Sequence, residues 1–315
     1  MPKMNPMDAV VKILEDEGVD YVFGVPGAAL PDVCPSAGVI GETEPDELGG
    51  LRIPIAGVAG DQQAALFGQA CVRRGMSKNT YGTGSFVLTN IGRSLPPPVE
   101  GVLTTVAWRL AGGDTFALEG SIFVTGAALR WLVEIGLLSS PGEAQDLFVA
   151  VPDTAGCHFV PALSGLGAPW WDPGARGAFV GLTAGTSRAH LVRAVVESMA
   201  YRTRDVVEAM ERGSGVRFSE LRVDGGASRL DALCQLQADL LGIPVTRAAS
   251  VEATALGAAL LAAVGIGMID GIDSIERAWA AGRRFEPAEP GTRPVEAYRR
   301  WLEAVSRVRT AANAP

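Results

Sequence analysis

The sequence is poor in the residues that build metal and redox centres. Its 315 residues include two histidines, His158 and His190, and four cysteines, Cys34, Cys71, Cys157 and Cys234. Two separated histidines do not make a His-rich metal site, and no metal site is expected. There is no CxxC pair, which removes zinc-ribbon and thioredoxin-type motifs. Widely spaced thiols in a chain of this length read as reduced, as in a cytoplasmic protein. No GxxxxGK[ST] occurs, so the chain has no P-loop. Neither histidine lies near a nucleophile elbow, so a Ser-His-Asp triad is not supported. Blocks of Lys and Arg are also lacking: 27 basic residues face 35 acidic ones, a formal charge of −8. That balance argues against nucleic acid or an anionic membrane as partner. Asp8, Glu15, Asp16 and Glu17 interrupt any secretory leader at the start. One uncharged run, Ala253 to Ile269, has 17 residues and no aromatic flanks. It is short for a membrane span and reads as a buried helix ending near Gly265 or Gly267.

What is present suits a soluble, folded chain of about two domains. Apolar residues make up 48% and charged residues 20%, and 39 glycines with 20 prolines imply many turns. Periodicity predicts helices over residues 7–18, 62–74 (capped by Gly75), 129–138, 187–212, 230–241, 253–264 and 295–309. Strands are expected at 20–25, 79–91, 102–110, 115–121, 159–163, 178–182, 221–223 and 244–247. Residues 31–50 lack periodicity and mark a candidate boundary. A hairpin followed by alternating strands and helices predicts an α/β domain with a mixed sheet.

Three segments could carry chemistry. In Gly60-Asp61-Gln62-Gln63, a glycine turn delivers Asp61 to a helix start. Asp61 reads either as an N-cap or as a carboxylate placed to take a proton from a substrate hydroxyl. In Tyr81-Gly82-Thr83-Gly84, two glycines flank a hydroxyl, which is either a plain hairpin turn or a backbone approach to a phosphate. Asp224-Gly225-Gly226 ends a strand ahead of a helix, and is either a strain-free connection or a phosphate or adenosine site. Gly185-Thr186-Ser187 is a further hydroxyl turn, and Trp170 and Trp171 read as packing or as a stacking surface.

Together these segments resemble the FGGY carbohydrate kinases, their glycerol-kinase subgroup above all. The resemblance is carried by GVAGDQQAALFGQACVRRGMSKNTYGTGSFVLTNIG at residues 57–92, ALEG at 117–120, PALSGLGAPWWDPGAR at 161–176 and LRVDGG at 221–226. Gly177, Phe179, Gly181, Leu182, His190, Leu191, Ala194 and Glu197 follow the family's C-terminal signature. The resemblance implies an actin-like ATPase (ribonuclease H-like) domain and transfer of the ATP γ-phosphoryl to glycerol or a similar polyol, with Mg²⁺. It assigns Asp61 as general base, Gln62 as a polyol contact and Phe86 as the cover over the glycerol carbons. It places Thr83 at the nucleotide phosphates, and Gly126, Gly225 and Gly226 along the nucleotide site. Arg130 and Leu230 stand where relatives often carry Gln and Asn. A homo-oligomer is compatible with this class.

The family's N-terminal actin-like domain carries a DxGT-type phosphate loop, an Arg-Glu pair and a Tyr that holds the polyol. No DxGT stands upstream of Asp61. Residues 1–29, with GVPGAA, instead resemble the start of a thiamine-diphosphate enzyme, a glyoxylate carboligase. The expected layout is a carboligase-like segment at 1–29, a remnant of the kinase N-terminal domain at 30–59, the C-terminal kinase domain at 60–309 and a tail at 310–315. The N-terminal actin-like domain is then largely missing. The expected molecule is a truncated glycerol kinase, poorly active or inactive. The alternatives are a nucleotide-binding remnant and a non-functional gene-fusion product.

Overall fold

The structure is a computed structural model and describes residues 34–48, 50–249, 252–289 and 294–310. The expected helix at 7–18, the strand at 20–25 and the carboligase-like segment lie outside the described residues, as does all but the first residue of the tail.

A seven-stranded mixed sheet forms the middle layer. Its strands are β3 (Met76–Tyr81), β4 (Ser85–Gly92), β5 (Leu103–Leu110), β6 (Gly113–Ile122), β9 (Glu220–Asp224), β10 (Val245–Ala248) and β11 (Ala281–Phe285), in the order β11-β10-β9-β3-β4-β6-β5. β3, β4, β6 and β5 pair antiparallel in succession. β9 runs parallel to β3, and β10 parallel to β9. Outside this sheet, β1 (Ala37–Glu42) pairs with β2 (Pro54–Gly57), and β7 (His158–Val160) with β8 (Ala178–Val180). The helices are α1 (Asp61–Gly68), α2 (Gly126–Glu134), α3 (Glu143–Val149), α4 (Arg188–Ser214), α5 (Asp231–Leu241), α6 (Ala253–Gly265), α7 (Gly271–Ala278) and α8 (Val295–Val308).

Strand alternation gives the sheet two unlike faces. Tyr81, Val87, Leu118, Ile122, Leu221 and Val223 pack towards α4 and α5 in the larger core. Met76, Leu88 and Ala117 face Leu66 and Phe67 of α1, Leu261 of α6 and Ile275 of α7. The same period places Lys78, Thr80, Phe86, Glu119, Arg222 and Asp224 on this second face. Arg222 and Asp224 are buried there, and Lys78 is fully so.

α1 and α6 meet backbone to backbone, through glycine. A methyl on Gly257 would lie 1.8 Å from the Ala64 carbonyl oxygen, and one on Gly68 would lie 2.0 Å from that of Ala253. Beside this contact, Gly57 and Gly265 allow β2 and the β1 segment to press on α6 equally closely.

Several expectations are corrected. The helix expected to reach residue 74 stops at Gly68, because Ala70 takes a left-handed backbone (φ 50°) and Gly75 turns the chain into β3 (φ 87°). The single strand expected over 79–91 is a hairpin folded at residues 82–84. Residues 31–50 contain β1, and α3, α7 and β11 were not expected from periodicity. The helix at 253–265 buries only Ala253, Gly257 and Leu261, so it is a surface-layer helix that looks apolar all round because its exposed side is alanine-rich. Asp61 is not an N-cap: Gly60 holds that position and Asp61 is the first helical residue.

Two outcomes follow. Gly257→Ala forces α1 and α6 apart and costs about 2–3 kcal/mol, a drop in Tm of about 5–10 °C. Gly185→Ala, whose new methyl meets nothing nearer than 3.7 Å, leaves Tm nearly unchanged in the same calorimetric scan. The second concerns pH. Burial pulls the Lys78 ammonium down to about 8, against the attraction of Asp224 and Glu119. Below pH 8 the buried charge is carried in both folded and unfolded states, and its burial cost is constant. Between about 8 and 10.5 only the unfolded chain keeps the proton, so the cost fades and stability rises with pH. Denaturant titrations should show the wild type gaining on Lys78→Met across that window, by about 3 kcal/mol at full amplitude. A parallel pH dependence of the two proteins would contradict this.

Candidate active site

Asp61 and Gln62 open α1 above the charged face of the sheet. Gly60 supplies the turn, and the carboxylate in the first helical turn meets the positive end of the helix. The exposed Asp61 accepts the Gln62 backbone N–H at Oδ1 (2.8 Å) and the Gln62 side-chain N–H at Oδ2 (3.1 Å). The Gln62 Oε1 accepts a hydrogen bond from Lys78 Nζ, which also donates to Thr80 Oγ1 at 3.1 Å. Gln63 donates to Thr105 Oγ1 (3.2 Å) and reaches Glu119 Oε2 (3.5 Å). Burial pushes the Glu119 carboxyl up, and Lys78 pulls it back. Asp224 is likewise raised by burial, with Thr80 and Lys78 opposing. Phe86 lies on this face of β4, half-buried against the α1 side, opposite Thr80 of β3.

The hairpin turn after β3 leads to a second region. A cavity of about 520 Å³ is lined by Tyr81, Gly82, Thr83, Gly126, Arg130, Gly226 and Leu230, with Leu129, Pro141, Gly142, Ala227 and Arg229. The turn is tied to the start of α2: Gly126 N–H donates to the Gly82 carbonyl, and Ala127 N–H to that of Thr83, each at 3.0 Å. A side chain at Gly126 would strike the Gly82 carbonyl oxygen at 2.5 Å. Arg130 donates to Thr83 Oγ1 (3.2 Å) and adds a cation to the wall. Gly225 takes φ 84° and packs on the Tyr81 backbone, where a Cβ would come within 2.4 Å. Gly226 has nothing within 4 Å of a notional Cβ and faces open space. Leu230 is buried and presents only carbon to the cavity.

The other sequence candidates have structural work. His190 and Ser187 cap α4, with the Ser187 N–H donating to His190 Nδ1 at 3.0 Å. Trp170 donates to the buried Asp205 at 3.0 Å. Trp171 donates to the Gly101 carbonyl at 2.8 Å and meets Phe123 edge-on. Lys78 and Glu119 were missed. Glu119, directly after Ala117 and Leu118 in β6, carried a signal, a single charge following apolar residues, whereas Lys78 stands in the largely polar strand MSKNTY and carried none.

Comparison with known proteins places the chain in a family. Residues 77–266 match the model for the C-terminal domain of the FGGY family of carbohydrate kinases. The chain is 51% identical over 293 residues to the glycerol kinase of Caldanaerobacter subterraneus and to glycerol kinase 2 of Thermotoga maritima, in each case over 93% of this chain and 59% of the relative. It therefore spans about three fifths of the length of these curated relatives. The crystal structure of Plasmodium falciparum glycerol kinase with ADP superposes with a TM-score of 0.83 at 32% identity, covering 89% of this chain and 56% of that one. The xylulose kinase of Lactobacillus acidophilus shares the fold at 20% identity and a TM-score of 0.80. On these grounds the chain belongs to the FGGY family of carbohydrate kinases and has its actin-like ATPase fold.

Proposed function

We propose that this chain is the base- and nucleotide-bearing part of a glycerol kinase, which moves the γ-phosphoryl of ATP to a terminal hydroxyl of glycerol. The observation that carries the reading is the convergence of distant segments on one strand. Thr83, Gly126, Arg130, Gly226 and Leu230 line a single cavity at the end of β3, and Asp61 and Gln62 stand over the body of the same strand. In this reading Asp61 takes the proton of the attacking hydroxyl and Gln62 donates to a polyol oxygen. Phe86 covers the polyol carbons. Thr83 and Arg130 face the phosphates, and the open space at Gly226 admits the nucleotide close to the backbone. Catalysis by such a site is positioning and charge neutralisation.

Among the described residues no group of three His, Cys, Asp or Glu side chains could hold a metal ion. Mg²⁺ fits as a companion of ATP, its ligands drawn mainly from phosphate oxygens and water, and when bound it neutralises phosphate charge. The layout follows the sequence reading: a remnant of the kinase N-terminal domain at 30–59 and the C-terminal domain at 60–309. In this reading a DxGT-type loop and a polyol clamp come from the part of the relatives' length that this chain does not match, and the matched part alone turns over poorly. The nucleotide-binding remnant is the second reading, favoured by a cavity lined entirely from this chain while Asp61 stands exposed.

Two measurements test these readings. Calorimetry should detect ADP binding to the full chain. Gly226→Val, which fills open space without touching the fold, should weaken that binding at least about tenfold with Tm unchanged, whereas Asp61→Asn should leave it intact. No heat from the wild type would overturn both readings. In a coupled assay with glycerol, ATP and Mg²⁺, Asp61→Asn should cut whatever rate the chain supports by about 10²–10⁴. An unchanged measurable rate would remove Asp61 as the base.

A further inference from the structure

One member of the polar cluster beneath α1 has no part in that reading. Lys78 is fully buried in β3, and the charged groups around it are Asp224, Glu119 and Asp61. We infer that Lys78 is a positioning residue, which fixes the Asp61 carboxylate by orienting the side-chain amide of Gln62 between them. An ammonium has donors only, so the Gln62 atom that meets it must be the carbonyl Oε1. The amide nitrogen is thereby turned the other way, where it donates to Asp61 Oδ2 at 3.1 Å. Asp61 Oδ1 is already held by the Gln62 backbone N–H at 2.8 Å. Both carboxylate oxygens are thus gripped by one residue, and the side-chain half of the grip depends on which way the amide faces. Thr80 Oγ1, accepting from the same ammonium at 3.1 Å, anchors it from within the strand.

The competing role for Lys78 is purely electrostatic, as a counter-charge to Asp224 and Glu119. It would act on Asp61 through space and would not need the amide. The inference rests on the reading of Asp61 as the base, but its test requires no turnover.

The test is a double-mutant cycle on the full chain, read by NMR at fixed pH from the Asp61 carboxyl carbon and the Gln62 side-chain amide. Lys78→Met should displace the Asp61 carboxyl resonance and move the Gln62 amide signals towards those of a free glutamine. In a Gln62→Ala background the same substitution should displace the Asp61 resonance by less than about a quarter as much. Equal displacement in both backgrounds would establish the through-space role and overturn the inference, as would no displacement in either. If Lys78→Met does not fold, Lys78→Met/Asp224→Asn, which removes both buried charges, is compared with Asp224→Asn in the same cycle and judged by the same outcomes. The Asp61→Asn rate in the coupled assay is measured separately, so loss of Asp61 as the base and loss of the Lys78 positioning role give different results.

Discussion

The close crossing of α1 and α6 is the constraint on which the site depends. Asp61 and Gln62 stand on the first turn of a helix of eight residues, too short to hold its place alone. Its position comes from contact along its length: the glycine-mediated approach to α6 on one side, and Leu66 and Phe67 in the sheet-side core on the other. In the proposed role, the Asp61 carboxylate must be placed to a fraction of an ångström. Backbone-to-backbone packing delivers that better than flexible side chains, because there is no rotamer to adjust.

The sheet divides the work between its faces. Towards α4 and α5 it is mostly apolar and forms the larger core, with uncharged polar side chains such as Asn79, which donates to Thr203 of α4 at 3.1 Å. Towards α1 it carries Lys78, Glu119, Arg222 and Asp224, which an ordinary core would exclude. Three of these charges have partners: Lys78 donates to Gln62 and Thr80, Gln63 reaches Glu119, and Arg222 donates to the carbonyls of Gln69 and Ala70 and lies over the Trp279 ring, 3.6 Å from its centroid, whereas Asp224 Oδ1 is buried without a hydrogen-bond partner. Buried charge on this scale is costly to keep, and it is concentrated under the residues that resemble a catalytic pair.

Much of the fold was legible from periodicity. The long α4, the strands ending at Asp224 and Leu110, and the amphipathic α8 all follow patterns of 3.6 or 2. The misses have local causes. The 62–74 helix was overextended because nothing in the sequence of Ala70 announces a left-handed backbone. α6 was read as buried because alanine gives no polar stripe to mark its outer side. β1 was missed because its glycines and exposed positions hide the alternation. For the site, the Gly-Asp-Gln and Gly-Thr-Gly segments drew attention by composition, and the structure sets the first on a helix over β3 and the second in the turn at its end. Lys78 escaped because its significance lies in what surrounds it, and those neighbours come from four separate stretches of chain.

The three-residue turn at 82–84 joins the two halves of the candidate site, and both of its strands are in strict register. In a pleated pair, one added or deleted residue inverts every following side chain. Here such a change would carry Phe86 to the far face of the sheet, bring Val87 beneath α1, and pull Thr83 away from its anchors on α2. This turn is in effect a fixed spacer, whose residue count holds the Thr83 hydroxyl and the Phe86 ring at a set separation.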